Sequence, residues 1–318
     1  MTSPALPLVR YRFAYRARDA GVLRAFGGSA WRGAFGHALK RVVCAMRLRP
    51  CAGCPLIGGC AFPGVFDGYR PASQAAPAGI DLLAVPYVFA ADHRGDVAFA
   101  AGDVVTTTLT LVGGANARLV YVVRAMADAG LAGIGPARAR LDLMQVEALD
   151  ALDATAGTLV HDGGTQCRAV VPSSPAAASP GRRVEVELRT PLRLRLEGDL
   201  VTPESFRPAQ LILAAIRRVS SLAALYGAGP IAADYAALKR AAEAAALEAR
   251  ALRWQEQTRF SARQRATMQM GGLVGRCRID LGPAADALGP WLGLAQWVGA
   301  GKGASMGLGD LRVVVAAD

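Results

Sequence analysis

The chain passes twice through the order strand, helix, two strands, helix, strand, and this duplicated plan restricts its fold more than any single motif. In the first pass, Leu8 to Arg16 alternates with period two: Val9, Tyr11, Phe13 and Tyr15 point one way, Arg10, Arg12 and Arg16 the other. One face of such a strand seeks a core and the other is basic. After Gly27-Gly28-Ser29 the residues Ala30 to Met46 have helical phasing. Trp31, Phe35, Leu39 and Val42 or Val43 turn inward, Arg32, Lys40 and Arg41 turn outward, and His37 lies on the same helix. Extended segments follow near Pro86 to Ala91 and Asp103 to Val112, the latter with Thr106-Thr107-Thr108. A helix over Ala117 to Ala129 stops at Gly130, and the Gly133-Ile134-Gly135 turn leads to a strand near Arg138 to Val146. That order is a ferredoxin-like unit.

Residues 154–182, with Gly157, Gly163, Gly164 and Pro172-Ser173-Ser174-Pro175, are expected to form a linker or exposed excursion. The plan then repeats. Val184 to Leu196 is a strand broken by Pro191, Pro208 to Tyr226 a helix, and Tyr235 to Trp254 a second, alanine-rich helix. A hairpin around Gly271-Gly272 within Phe260 to Asp280, a helix from Pro283 to Trp297 kinked at Pro290, and a last strand from Leu311 to Ala316 complete it. The expected class is α+β, two tandem ferredoxin-like (RRM-like) domains at 1–153 and 183–318, in keeping with a length of 318 residues.

Charge narrows the partners. The net charge is +11, and residues 1–60 hold ten Lys or Arg against the single acid Asp19. Residues 61–182 are slightly acidic, and from 183 onward bases again exceed acids, eighteen to thirteen. Two separated basic zones suit a polyanion; in the second, arginine abundance alone is an equal reading. No cluster of carboxylates with histidine stands out, which argues against a metal-stabilised small-molecule enzyme. No stretch approaches the roughly 20 apolar residues of a membrane span, Leu82 to Ala91 being the longest. The start Met1-Thr2-Ser3-Pro4 does not read as a secretory signal, so a cytoplasmic protein without a membrane partner is expected.

Near the C-terminus, Gly299 to Gly309 sets five glycines among small residues around Lys302. Glycine lets backbone N–H groups approach a ligand, and the lysine adds a point charge suited to phosphate. The run does not fit the nucleotidase phosphate loop, because no Gly-Lys-Ser/Thr stands at the required spacing and a strand follows instead of a helix. It is either a phosphate cradle or a tight turn before a terminal strand. Cys44, Cys51, Cys54 and Cys60 form a second constellation, C-x6-C-x2-C-x5-C. It reads as a structural zinc knot or as four reduced thiols, with an iron–sulfur cluster less favoured by the spacing. Cys167 and Cys277 are isolated.

The ordered set Arg32-Gly33-Ala34-Phe35-Gly36-His37-Ala38-Leu39, Cys51-Ala52-Gly53-Cys54-Pro55-Leu56, Thr190-Pro191-Leu192-Arg193-Leu194, Leu211 with Arg217-Arg218 and Tyr226-Gly227, Arg259-Phe260-Ser261-Ala262-Arg263, Met270-Gly271-Gly272 and Gly301 to Gly309 resembles the CRISPR-associated endoribonuclease that processes precursor crRNA, a family of the RAMP superfamily. The resemblance implies two RRM-like domains, binding of a CRISPR repeat RNA, and cleavage without metal by attack of a ribose 2′-OH on the adjacent phosphate. It makes other CRISPR effector subunits candidate partners. It also makes His37 the leading general base, with His93 and His161 minor candidates.

Gly301, Lys302, Gly303 and Ser305 are expected to contact the RNA backbone, joined by Arg259, Arg263 and Arg265. From the first domain, Arg12, Arg16, Lys40 and Arg41 are candidate RNA contacts, and Tyr11 and Tyr15 candidates to orient RNA should His37 not be the base. Some relatives carry a histidine where this chain has Gly299, so that contribution is missing. A non-catalytic crRNA-binding subunit of an effector complex is the alternative.

Overall fold

The computed structural model describes residues 3–47, 49–68, 84–90, 95–176, 181–261 and 266–316. Two compact units emerge: Leu6–Ser174 with Ser221–Gly229, and Met1–Ala5 with Pro175–Ser220 and Pro230–Asp318.

The first unit is built on β1 (Leu8–Ala17), whose alternation places Tyr11, Phe13 and Tyr15 fully inside. A short β2 (Gly21–Leu23) precedes α1 (Gly28–Val43); β3 (Tyr87–Phe89), β4 (Val97–Phe99) and β5 (Val104–Val112) follow. Helix α2 (Leu119–Ala132), β6 (Leu141–Leu149) and β7 (Thr158–His161) complete the unit. The sheet order is β3-β5-β1-β6-β7, with every neighbour antiparallel. Set aside β7 and the β2/β4 ribbon, and the four remaining strands have the arrangement of a ferredoxin-like sheet. Strand β1 lies centrally, paired with β5 from Leu8↔Val112 to Arg16↔Val104 and with β6 from Arg10↔Leu149 to Ala17↔Leu141. Both helices pack on the aromatic face of β1: Trp31, Phe35 and Leu39 from α1, and Val122, Met126 and Ala129 from α2, belong to one core.

The second unit repeats the design. It contains β8 (Arg183–Leu192), the ribbon β9 (Arg195–Leu196) and β10 (Asp199–Leu200), α3 (Pro208–Tyr226, whose end from Ser221 groups with the first unit) and α4 (Tyr235–Ala244). Then come β11 (Ala246–Gln255), the hairpin β12 (Thr258–Ser261) and β13 (Ala266–Gln269), β14 (Gly272–Asp280), α5 (Ala285–Val298) and β15 (Leu311–Val315). Its sheet order, β11-β14-β8-β15, is again the ferredoxin-like one. Two tandem ferredoxin-like units are therefore present.

Four expectations change. The helix expected over 235–254 ends at Ala244, and 246–255 is an edge strand paired with β14 from Ala246↔Asp280 to Gln255↔Gly272. Alanine and arginine favour helix by only about 0.5–1 kcal/mol per residue, so a continuous partner strand overrides them. The hairpin expected around Gly271-Gly272 instead nests β12 and β13 inside the β11/β14 pair, and Gly272 opens β14. There a side chain is barred, since a Cβ would lie 2.6 Å from the Leu192 carbonyl oxygen.

Of residues 154–182, expected as a linker or exposed excursion, 154–174 group with the first unit: β7 pairs with β6, and the Leu8 N–H donates to the Ser173 carbonyl at 2.9 Å. Finally, α3 is by length and hydropathy long enough to cross a membrane, which the sequence reading did not expect, but half of that stretch is buried within the protein.

Candidate active site

Helix α1 carries the leading residue. Its inward face is fixed by aromatic packing: the Phe35 ring stands 5.7–6.0 Å from the rings of Phe66, Tyr87 and Phe89. Phe66 lies in a π-helical turn, Pro63–Asp67, and its ring fills the space over Gly36, where a Cβ would sit 2.2 Å from its Cζ. With Gly36 pressed inward, the next residue, His37, is turned out and is exposed. Two cations on the helix rest on aromatic faces: the Arg32 guanidinium 4.7 Å above Phe66, and Lys40 Nζ 5.6 Å above Phe62. The helix has no acid in its first turn, and Lys40 and Arg41 occupy its last turn, where cations complement the helix dipole.

His37, Lys40 and Arg41 open onto a cleft of about 970 Å³, lined also by Cys44 and Arg47 and, from α2 and the turn after it, by Arg124, Asp128 and Arg138. Five bases and a histidine face a single carboxylate there, and that carboxylate is engaged by Arg124 at 3.0 Å. The cleft is therefore strongly cationic, with the imidazole of His37 exposed beside its bases. Such a site suits an anionic ligand and proton transfer at its charged centre. The sequence reading named His37, Lys40 and Arg41 but not Arg47, Arg124, Asp128 or Arg138 as site residues. The signal for Arg138 was present in Gly133-Ile134-Gly135, a turn that returns the chain beside α2.

Other first-unit candidates fall elsewhere. Tyr11 and Tyr15 are fully buried, Tyr11 donating to Asn116 Oδ1 at 2.9 Å and Tyr15 to the Met126 carbonyl at 3.2 Å. Burial pushes both phenols well above the ordinary tyrosine range. They are core residues and are corrected from the RNA-orienting role. Arg12, on the opposite face of β1, is held by Glu147 through Nε at 3.0 Å and Nη2 at 2.6 Å. Arg16 is exposed, with Nε 3.4 Å from Met144 Sδ. His161 Nδ1 lies 2.8 Å from the Gln166 carbonyl oxygen, and His93 is outside the described residues.

The spacing of Cys44, Cys51, Cys54 and Cys60 allows a structural zinc knot or four reduced thiols. Among the described residues no three of His, Cys, Asp or Glu are gathered to hold a metal ion, and Cys44, Cys51, Cys54 and Cys60 are free thiols. Cys44 caps α1 through its N–H to the Lys40 carbonyl at 3.0 Å, while Cys51 and Cys60 pack against the first core.

In the second unit the glycine run is a folded device. Gly299 ends α5 with its N–H on the Ala295 carbonyl at 2.8 Å, and the chain returns against β8. The Lys302 N–H donates to the Arg193 carbonyl at 3.0 Å and the Gly309 N–H to the Pro191 carbonyl at 3.1 Å. The buried Thr190 hydroxyl donates to the Gly307 carbonyl at 2.8 Å and accepts from the Asp310 N–H at 2.9 Å. Two glycines are demanded by crowding: a Cβ on Gly301 would lie 2.7 Å from the Arg193 oxygen, and one on Gly309 would lie 1.9 Å from the Ala300 oxygen.

Many of the amides that a phosphate cradle would offer are therefore engaged by protein carbonyls. What the loop presents outward is the exposed Lys302 with the half-exposed Ser305. Arg259 lies on β12 opposite Met268; Arg263 and Arg265 are outside the described residues.

Residues 6–173 match the model of an N-terminal-domain family, and residues 186–311 match the model of the CRISPR-associated endoribonuclease Cas6. A search of curated proteins returned no match. Among solved structures, Thermus thermophilus Cas6 (TTHB231) has a TM-score of 0.54 at 14% identity, covering 98% of this chain and 99% of that one. Cas6 (TTHA0078), as an H37A mutant, has a TM-score of 0.53 at 18% identity, covering 97% and 99%. A partial Cas6-RT-Cas1–Cas2 complex has a TM-score of 0.60 at 13% identity, covering all of this chain and 48% of that chain. These structural likenesses are of fold. The second unit thus carries the domain of the CRISPR-associated endoribonuclease Cas6 over residues 186–311, and the whole chain shares the fold of solved Cas6 structures.

Proposed function

We propose that this protein binds a CRISPR repeat RNA and cleaves precursor crRNA in the cationic cleft of its first unit, with His37 as the general base. The observation that carries the reading is the exposed His37 set among five bases and one carboxylate. His37 takes the proton of a ribose 2′-OH, and the O2′ so freed attacks the adjacent phosphorus. The bond from phosphorus to O5′ breaks, leaving a 2′,3′-cyclic phosphate and a 5′-oxygen, which is protonated by the imidazolium or by water. Lys40 and Arg41 stabilise the extra charge on the phosphorane-like transition state.

This chemistry uses the RNA's own nucleophile, and the residues present suit it: a metal-assisted route calls for clustered carboxylates, and among the described residues the cleft offers Asp128 alone. From the second unit, exposed Lys302 with Ser305 supplies a sequence-independent backbone contact. The match of residues 186–311 to an endoribonuclease family supports RNA as ligand, solved relatives include product and substrate-mimic complexes, and a relative within a Cas6-RT-Cas1–Cas2 complex supports further CRISPR subunits as partners. Six free thiols fit a cytoplasmic location.

The test is single-turnover cleavage of the cognate repeat RNA in excess chelator, with analysis of the product ends. Cleavage giving a cyclic phosphate, slowed about 10²–10⁴-fold by His37→Ala while binding is retained, is expected. Tight binding with no cut by the wild-type protein refutes the enzyme and leaves a crRNA-binding subunit. An unaffected rate in His37→Ala removes His37 from the mechanism.

A further inference from the structure

We infer that the second wall of the His37 cleft, formed by Arg138 with Arg124 and Asp128, is a clamp for a phosphodiester of the bound RNA strand, and that Asp128 limits its strength. The inference rests on the cationic cleft being the RNA site.

Arg138 is held in place by its backbone. Its φ is +51°, a left-handed conformation rare for residues other than glycine, asparagine and aspartate. The surrounding turn fixes it there. The Ile134 N–H reaches the Ala139 carbonyl at 2.9 Å, the Ala139 N–H returns to the Ile134 carbonyl at 3.0 Å, and the Arg138 N–H reaches the Gly135 carbonyl at 3.1 Å. Gly133 permits the closure, since a Cβ there would lie 2.1 Å from the Arg138 carbonyl oxygen. The side chain uses Nη2 on the last carbonyl of α2, that of Ala132, at 3.3 Å. A guanidinium has five N–H donors, so most of the fork remains available on the cleft wall.

Arg138 also differs from its neighbours in charge pairing. Arg18, Arg24 and Arg140 of the same unit are matched with Asp142, Asp96 and Asp19. Arg138 has no acidic partner among the described residues, although it lines the cleft that holds His37. Beside it, Arg124 is 70% exposed and half-committed, being held by Asp128 at 3.0 Å. A planar fork oriented by a rigid turn matches the paired oxygens of a phosphodiester, and Arg–phosphate pairs of this kind are bidentate. Asp128, the only carboxylate among the described residues that line the cleft, opposes the same anion.

The clamp is tested by titrating a short fluorescent single-stranded RNA of mixed sequence into the full-length protein across a range of salt, because phosphate contacts are sequence-independent. Arg138→Asn, chosen because asparagine tolerates the left-handed backbone, is expected to weaken binding about tenfold at low salt. It should also reduce the slope of log affinity against log salt by about 0.7. Arg124→Gln should act in the same direction, and Asp128→Asn should tighten binding severalfold.

Wild-type affinity and slope in folded Arg138→Asn overturn the clamp. So does weakened binding in Asp128→Asn, which decides the matter if Arg138→Asn fails to fold. A protein that cuts repeat RNA yet is indifferent to these changes loses the clamp and keeps the nuclease reading. One that shows the predicted responses but cuts nothing keeps the clamp and loses the nuclease.

Discussion

Helix α1 contains two glycines whose replacement by alanine should act in opposite directions. At Gly33 a Cβ meets nothing within 4 Å, so Gly33→Ala gains only helix propensity, about 0.8–1 kcal/mol of stability. At Gly36 the same propensity gain is opposed by the Phe66 ring, with Cζ, Cε2 and Cε1 at 2.2, 2.5 and 2.8 Å from the added carbon. The ring must retreat by about 1.2 Å to reach ordinary contact. It cannot swing freely, being stacked on Phe62 at 5.4 Å and on Tyr87 at 5.8 Å and covered by Arg32 at 4.7 Å.

Overpacking of this kind costs about 1–3 kcal/mol, and disturbing the aromatic pairs adds about 0.5–1.5 kcal/mol. The cost exceeds the propensity gain, so Gly36→Ala should be less stable than Gly33→Ala by about 1–3 kcal/mol. Native-state hydrogen exchange of the α1 amides reads that difference locally, which matters in a chain of two units where global unfolding need not be two-state. Equal protection of α1 in the two variants would refute the claim that Phe66 fixes the rotation of the helix, and with it the account of why His37 faces outward.

Two further outcomes are expected. Thr190→Val should lower the stability of the second unit by about 2–4 kcal/mol in urea unfolding, because it strips both the donor to Gly307 and the acceptor for Asp310 from a residue that is 1% exposed; a neutral result would mean the glycine run is not anchored there. Asp280 is held at about 2, below the ordinary 3.8, by the Arg182 guanidinium at 2.9 Å and by the Gly282 N–H at 2.7 Å. Because the folded value is the lower one, its contribution is complete above about pH 4 and fades as pH falls toward 2. Asp280→Asn should flatten the urea midpoint between those pH values, and an unchanged slope there would rule the pairing out as a source of acid lability.

Much of the fold could be read from local pattern because ferredoxin-like units are built from amphipathic pieces with few options. The period-two run of β1 has one apolar face and finds one core, and α1 carries Trp31, Phe35 and Leu39 at helical spacing onto it. The readings that failed depended on distant partners. Ala246 to Gln255 has helix-forming residues and becomes a strand because β14 is beside it, a fact absent from its own ten residues. Tyr11 and Tyr15 have the polar tips of ligand-contacting residues, but their hydroxyls are taken by Asn116 and Met126, more than a hundred positions away.

The site divides in the same way. Sequence alone determined the twofold plan, the acid-poor basic start of the chain, and the placing of His37, Lys40 and Arg41 on one helix, because these follow from composition and from a 3.6-residue repeat. Only tertiary structure decided that Arg124, Asp128 and Arg138 close the other wall of that cleft. It likewise decided that the glycine run is folded onto Thr190 to Arg193, with Lys302 left outward. The physical reason is that a cleft's charge and a loop's free amides are set by which groups the packing leaves unpaired. That balance belongs to contacts between residues far apart in the chain.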